Sequence, residues 1–130
     1  MNADAPLLDV ERVICRLDDL QDPGSRSFTM GRGDWPLRGF VVRVGKEAHA
    51  YVNRCPHARH PLNMEPHQFL TPRGELILCN SHGALFDKAT GFCVAGPCNG
   101  QSLERVPVTI ESGFVMLADD VDAQALANRD

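Results

Sequence analysis

The 130-residue sequence has no long apolar run and no basic leader. Its opening, MNADAPLLDVER, has neither the charged start and apolar stretch of a secretory signal nor the roughly 20 apolar residues of a membrane anchor. The expectation is a cytoplasmic protein with no membrane contact. Clustered Lys and Arg are also missing, and the formal net charge is −4. Binding a phosphate backbone needs such clusters, so nucleic acid is excluded as a partner, and a protein or small molecule is favoured. The five cysteines are odd in number. They cannot form a fully paired secreted framework, they suit a reducing compartment, and some need another use. No repeat, low-complexity segment or linker stands out. The length suits one domain, residues 1–130, able to bury a core without disulfides.

What is present is a series of short apolar segments separated by turn residues, with no long helical pattern. The fold class expected is all-β. VERVICRLDDL reads as a first strand and QDPGSRS as a turn. RGFVVRVG and EAHAYVNR read as a hairpin joined through Gly45 and Lys46, and ERVPVTIESGFVMLAD as a second hairpin turning at ESG. Between the hairpins, residues from about 54 to 99 are rich in proline and glycine and hold only short strands such as ELILCN and ALFD. The tail, 119–130, suits either a short helix or a frayed end.

That middle stretch contains two matched pairs. NRCPHARHP supplies Cys55 and His57 at i and i+2; CNSHG supplies Cys79 and His82 at i and i+3, with Gly83 directly after to let backbone come close to an inorganic ligand. In an extended loop the first two would face one side, about 6.5 Å apart at Cα, which suits two neighbouring metals. A zinc finger groups its ligands as Cys-Cys and His-His around one ion. Here each loop offers one thiolate and one imidazole. A [2Fe-2S] centre with two cysteines on one iron and two histidines on the other satisfies that alternation. A mononuclear zinc site uses the same ligand types and stays open as a structural alternative.

CPH, followed by CNSHG and FD, resembles the Rieske iron-sulfur family, and the chain as a whole resembles a stand-alone Rieske ferredoxin of the kind serving bacterial ring-hydroxylating oxygenases. The resemblance implies an antiparallel β-sandwich with an inserted cluster-binding subdomain. It also implies Cys55 and Cys79 on the buried iron of one [2Fe-2S] cluster, and His57 and His82 on the outer iron. VAGPCNG resembles the family's third, proline-containing loop, which places Gly96 and Pro97 beside the cluster. In high-potential members, a serine two residues after the second histidine and a tyrosine four residues after it donate hydrogen bonds to the sulfurs. The matching positions here are Ala84 and Phe86. A loop-tying disulfide of respiratory Rieske proteins falls on the positions of His60 and Ser81, so that bridge is absent.

The interval between His57 and Cys79 exceeds the family's usual one, and the excess is assigned to a surface excursion, NMEPHQFLTPRGE. His49 and His67 read as surface residues, Cys15 as core, and Cys93 and Cys98, a C-x4-C pair, as buried thiols, with a disulfide between them as the minority alternative. No histidine follows Cys98, so the second, mononuclear iron of the catalytic oxygenase subunits has no ligands to use. The function expected is non-enzymatic. It is that of an electron carrier between a flavin-dependent reductase and a terminal oxygenase or similar enzyme, docking through a face around Arg59 and His60. The alternative is a small non-catalytic subunit of a nitrite-reductase-type complex.

Overall fold

Strand formation here begins with residues that alternate between two apolar cores. The computed structural model describes residues 10–31, 36–56, 60–98, 100–118 and 121–127. Its strands are β1 (Val13–Arg16), β2 (Gly24–Met30), β3 (Leu37–Val44), β4 (Glu47–Val52), β5 (Ile77–Leu78), β6 (Leu85–Phe86), β7 (Cys93–Ala95), β8 (Arg105–Val106), β9 (Val108–Glu111) and β10 (Phe114–Leu117), followed by the short helix α1 (Ala123–Ala127). They form three antiparallel sheets in the orders β2-β3-β4-β8, β1-β10-β9 and β5-β6-β7.

β3 is apolar almost throughout because both its faces are covered. Phe40 and Val42 join a core with Tyr51, Phe69, Phe86 and the four cysteines Cys55, Cys79, Cys93 and Cys98. Leu37 and Val41 point the other way, into a core with Ala50, Val52, Val106, Val115, Leu117 and Leu126. The period of two along a strand sends successive side chains to opposite faces. Sheet β2-β3-β4-β8 is therefore the middle layer, with β1-β10-β9 on one side and the cysteine-bearing sheet on the other.

Both hairpins form as the sequence suggests. Val44 pairs with Glu47 across Gly45 and Lys46, and Phe114 pairs with Glu111 across Ser112 and Gly113, which both take positive φ, as a tight hairpin turn requires. The first segment differs. Only Val13–Arg16 is strand, flanked by 3-10 turns at Val10–Arg12 and Leu17–Asp19. The turn expected over QDPGSRS is shorter, since β2 begins at Gly24 and pairs with β3 along its whole length. Its polar residues hid this strand, because β2 buries only Met30 fully. The tail forms α1, whose Leu126 completes the second core. No helix among the described residues is long and apolar enough to cross a membrane.

The segment 63–75 is more than a surface excursion. Met64 is exposed, but Phe69 is fully buried and stacks on Phe40 with ring centroids 4.2 Å apart. His67 sits at φ 65, an uncommon conformation for a side-chain-bearing residue. Its Nδ1 accepts the Ser27 N–H at 3.1 Å, and its carbonyl accepts the Ser25 hydroxyl at 2.7 Å. These bonds fasten the segment to the outer strand of the middle sheet.

Candidate metal centre

The two proposed ligand loops are built alike. The Cys55 N–H donates to the His60 carbonyl and the Cys79 N–H to the Ala84 carbonyl, each at 2.9 Å, so each loop closes between a residue and the one five positions on. A further bond from the Gly83 N–H to the Cys79 carbonyl tightens the second loop at 3.0 Å, and Gly83 takes φ 73, which glycine adopts without steric cost. Leu62 braces both loops: its N–H reaches Asn53 Oδ1 and its carbonyl accepts the Asn80 N–H. Asn53 precedes the first motif by two residues, and its supporting role has no signature in the sequence beyond that proximity.

Cys55 and Cys79 are both fully buried in one core, close enough for each thiol to influence the other. Burial pushes the Cys79 thiol up, while the backbone N–H groups of Ser81 and His82, aimed at its sulfur, favour the thiolate. Paired sulfurs facing each other across two matched loops, with amide donors supplied to one of them, suit thiolate ligation of an inorganic centre. His82 is exposed on the same loop, so the soft donors lie inside and an imidazole outside. His57 and Arg59 fall outside the described residues. Of the four expected ligands, carried on these two loops, the described residues include Cys55, Cys79 and His82. Among the described residues no group of three His, Cys, Asp or Glu side chains converges on one ion.

His60 lies beside His82, with ring centroids 6.2 Å apart. Its Nδ1 is 3.4 Å from the Ser81 hydroxyl. A polar contact therefore joins the two loops at the positions where other members of the resembling family carry a disulfide. The third loop crosses the second: a Cβ on Gly96 would lie 2.8 Å from the Ala84 Cα, so only glycine permits that approach. Ala84 and Phe86 are fully buried, whereas Gly96 and Pro97 are exposed above them.

Asp87, after β6, is a contributor not singled out from the sequence. Its Oδ1 accepts the N–H groups of Ala89 and Thr90 at 2.8 and 2.9 Å, and these bonds hold its carboxyl below the usual range against a smaller opposing effect of burial. Tyr51 donates its hydroxyl to the Lys88 carbonyl at 2.8 Å, tying the same turn to the middle sheet. Both cysteines of the third loop, Cys93 and Cys98, are buried, and burial together with Cys93 pushes the Cys98 thiol up to about 12.

The chain matches the family model of the Rieske [2Fe-2S] domain over residues 11–117. No curated protein matches it significantly. Among solved structures it is similar to a ferredoxin of Sphingomonas yanoikuyae B1, at 28% identity and TM-score 0.61, over 81% of this chain and 94% of that one. It is likewise similar to the ferredoxin of carbazole 1,9a-dioxygenase from Nocardioides aromaticivorans IC177, at 26% identity and TM-score 0.63, over 82% and 94% of the two chains. A third likeness, at 27% identity and TM-score 0.63 over 82% and 99%, is to a structure described as a complex of reduced oxygenase and oxidized ferredoxin in carbazole 1,9a-dioxygenase.

Proposed function

Since the chain belongs to the Rieske [2Fe-2S] domain family, we propose that it is a one-electron carrier delivering electrons from a flavin-dependent reductase to a terminal oxygenase or similar enzyme in a reducing cytoplasm. When bound, the cluster supplies a reversible one-electron couple. Cys55, Cys79, His57 and His82 would hold the cluster, the cysteines from the buried side and the histidines toward the surface. The observation that carries this reading is the pair of fully buried thiols that share one core on two loops of identical closure, with His82 exposed on the second.

The protein's own groups have separable tasks. The buried cysteines and the apolar wall of Leu62, Phe86 and Leu103 keep water from the sulfur side. The Ser81 and His82 amides stabilise negative charge on the Cys79 sulfur. The exposed face around His82, His60, Gly83 and Pro97 is where a partner docks. The likeness to ferredoxins that accompany a carbazole dioxygenase supports an oxygenase as the acceptor.

Metal analysis and single substitutions test the assignment. About two irons and two acid-labile sulfides per chain are expected, and stoichiometric zinc in protein purified without added zinc would overturn the iron reading. Alanine at Cys55, His57, Cys79 or His82 should each abolish the visible spectrum, because an open coordination position exposes iron to solvent. His60→Ala and His67→Ala should keep it. Bleaching by His60→Ala with retention in His57→Ala would show that the ligands are misassigned.

A further inference from the structure

Cys93 and Cys98 have no part in holding the cluster as proposed, yet the fold brings them together. Cys93 opens β7, the chain turns at Gly96 with φ 97, and Cys98 returns so that the two Sγ atoms lie 2.7 Å apart. The residues are 0% and 1% exposed and share a core with Cys55 and Cys79. The loop they bracket is the one whose Gly96 rests on the backbone of Ala84. Two thiols in contact, with four residues between their positions, form a ring that one covalent bond would close without moving the strands.

We propose that Cys93 and Cys98 are a reversible dithiol-disulfide pair that fastens the third loop over the ligand loops. A low-molecular-weight disulfide is the oxidant. One cysteine attacks it as thiolate, forming a mixed disulfide and releasing one small thiol. The second cysteine attacks the protein sulfur of that mixed disulfide and releases the other. The protein loses two electrons and two protons, and the small disulfide gains both, becoming two thiols. A cellular dithiol reverses the exchange. Both sulfurs are buried, so the oxidant must be small and the loop must open to admit it. The closed disulfide holds the loop to its Ala84 contact and slows departure of whatever the loop covers. That last consequence rests on the proposed cluster; the sulfur chemistry does not.

The test treats the full-length purified protein, kept anaerobic, with excess 2-hydroxyethyl disulfide, followed by acid quenching, alkylation and peptide mass mapping. Both cysteines fall in the tryptic peptide 89–105. The expected product is that peptide lighter by two hydrogens and unalkylated, restored to two alkylated thiols by dithiothreitol, with Cys15 alkylated throughout. Cys93→Ser and Cys98→Ser should each abolish the light peptide. Two alkylated thiols after exhaustive treatment, or cysteines joined only to the small thiol or to Cys55 or Cys79, would overturn the pairing. In the coloured protein, prior oxidation should lengthen the half-life of the visible absorbance in an iron chelator, and the Cys93→Ser variant should show no such lengthening. Equal half-lives for oxidised and reduced wild-type protein would overturn the fastening role. A colourless preparation would instead defeat the function proposed above while the peptide map still decides the pairing.

Discussion

Two buried positions beside the ligand loops, Ala84 and Phe86, carry no hydroxyl. The resemblance places serine and tyrosine there in high-potential relatives, where charge-assisted bonds to sulfur, each worth about 1.5–3 kcal/mol, stabilise the added electron. Without them the midpoint should lie near −150 mV rather than around +300 mV, the ends of the Rieske range. Protein-film voltammetry at neutral pH reads it directly, and a midpoint above about +100 mV would contradict the argument. An Ala84→Ser, Phe86→Tyr double variant should move it upward. Asp87 gives a second prediction at this scale. Its carboxylate accepts two backbone bonds, and its folded-state pKa is lowered. The stability it contributes is therefore fully present above the unfolded value, about 3.9, and is lost as pH falls through the lower folded value. Asp87→Asn should cost about 0.5–1.5 kcal/mol at pH 7. Urea midpoints of the two proteins should converge as the pH drops below that window; a constant gap would remove the carboxylate as its cause.

Among the elements, the segment between the ligand loops decides how firmly the second loop is seated. Phe69 stacks on Phe40 of β3, its carbonyl accepts the N–H of Leu78 in β5, and Leu70 bridges to Ile77 of the same strand. The segment is thus a strut between the middle sheet and the strand that leads into Cys79. Phe69→Ala should lose about 3–5 kcal/mol through transfer and cavity terms together. Thermal unfolding measures the loss. Since the strut leads into Cys79, the variant's visible absorbance should fade at a lower temperature than that of the wild type; destabilisation without earlier loss of colour would show that the strut does not seat the ligand loop. Its role was concealed in the sequence by Pro66, His67, Pro72 and Gly74, which read as a loop. Its apolar anchor is Phe69, whose partner Phe40 lies on a distant strand.

At the scale of the whole molecule, the acidic chain presents its exposed histidine face at one end of a two-core sandwich. Redox partners meet through small, transient contacts, so charge near that face should tune encounter more than affinity. Arg59→Glu is expected to change the rate of electron delivery to the native acceptor with the visible spectrum unaltered, and the change should shrink as ionic strength rises. Stopped-flow mixing at several salt concentrations makes the comparison, and equal rates for both proteins throughout would count against this face.

The sequence by itself supplied the candidate ligands and, through them, the family resemblance that the family model bears out. Cys55, His57, Cys79 and His82 stand at spacings that a metal centre needs, and such short-range arrangements are written in adjacent residues. It also determined the two hairpins, because the turns at Gly45-Lys46 and Ser112-Gly113 and the flanking alternation are local. The strand β2 was not legible, since its polar residues carry no apolar alternation and it is held by pairing with β3 along its length. Nor could residue spacing, without the family resemblance, decide that Cys55 and Cys79 meet. Cys55 and Cys79 are juxtaposed by two loops converging on one core, and Gly96 lies against Ala84 because β6 and β7 are neighbours. Such contacts between residues distant along the chain depend on how sheets stack, and only the tertiary structure decides that.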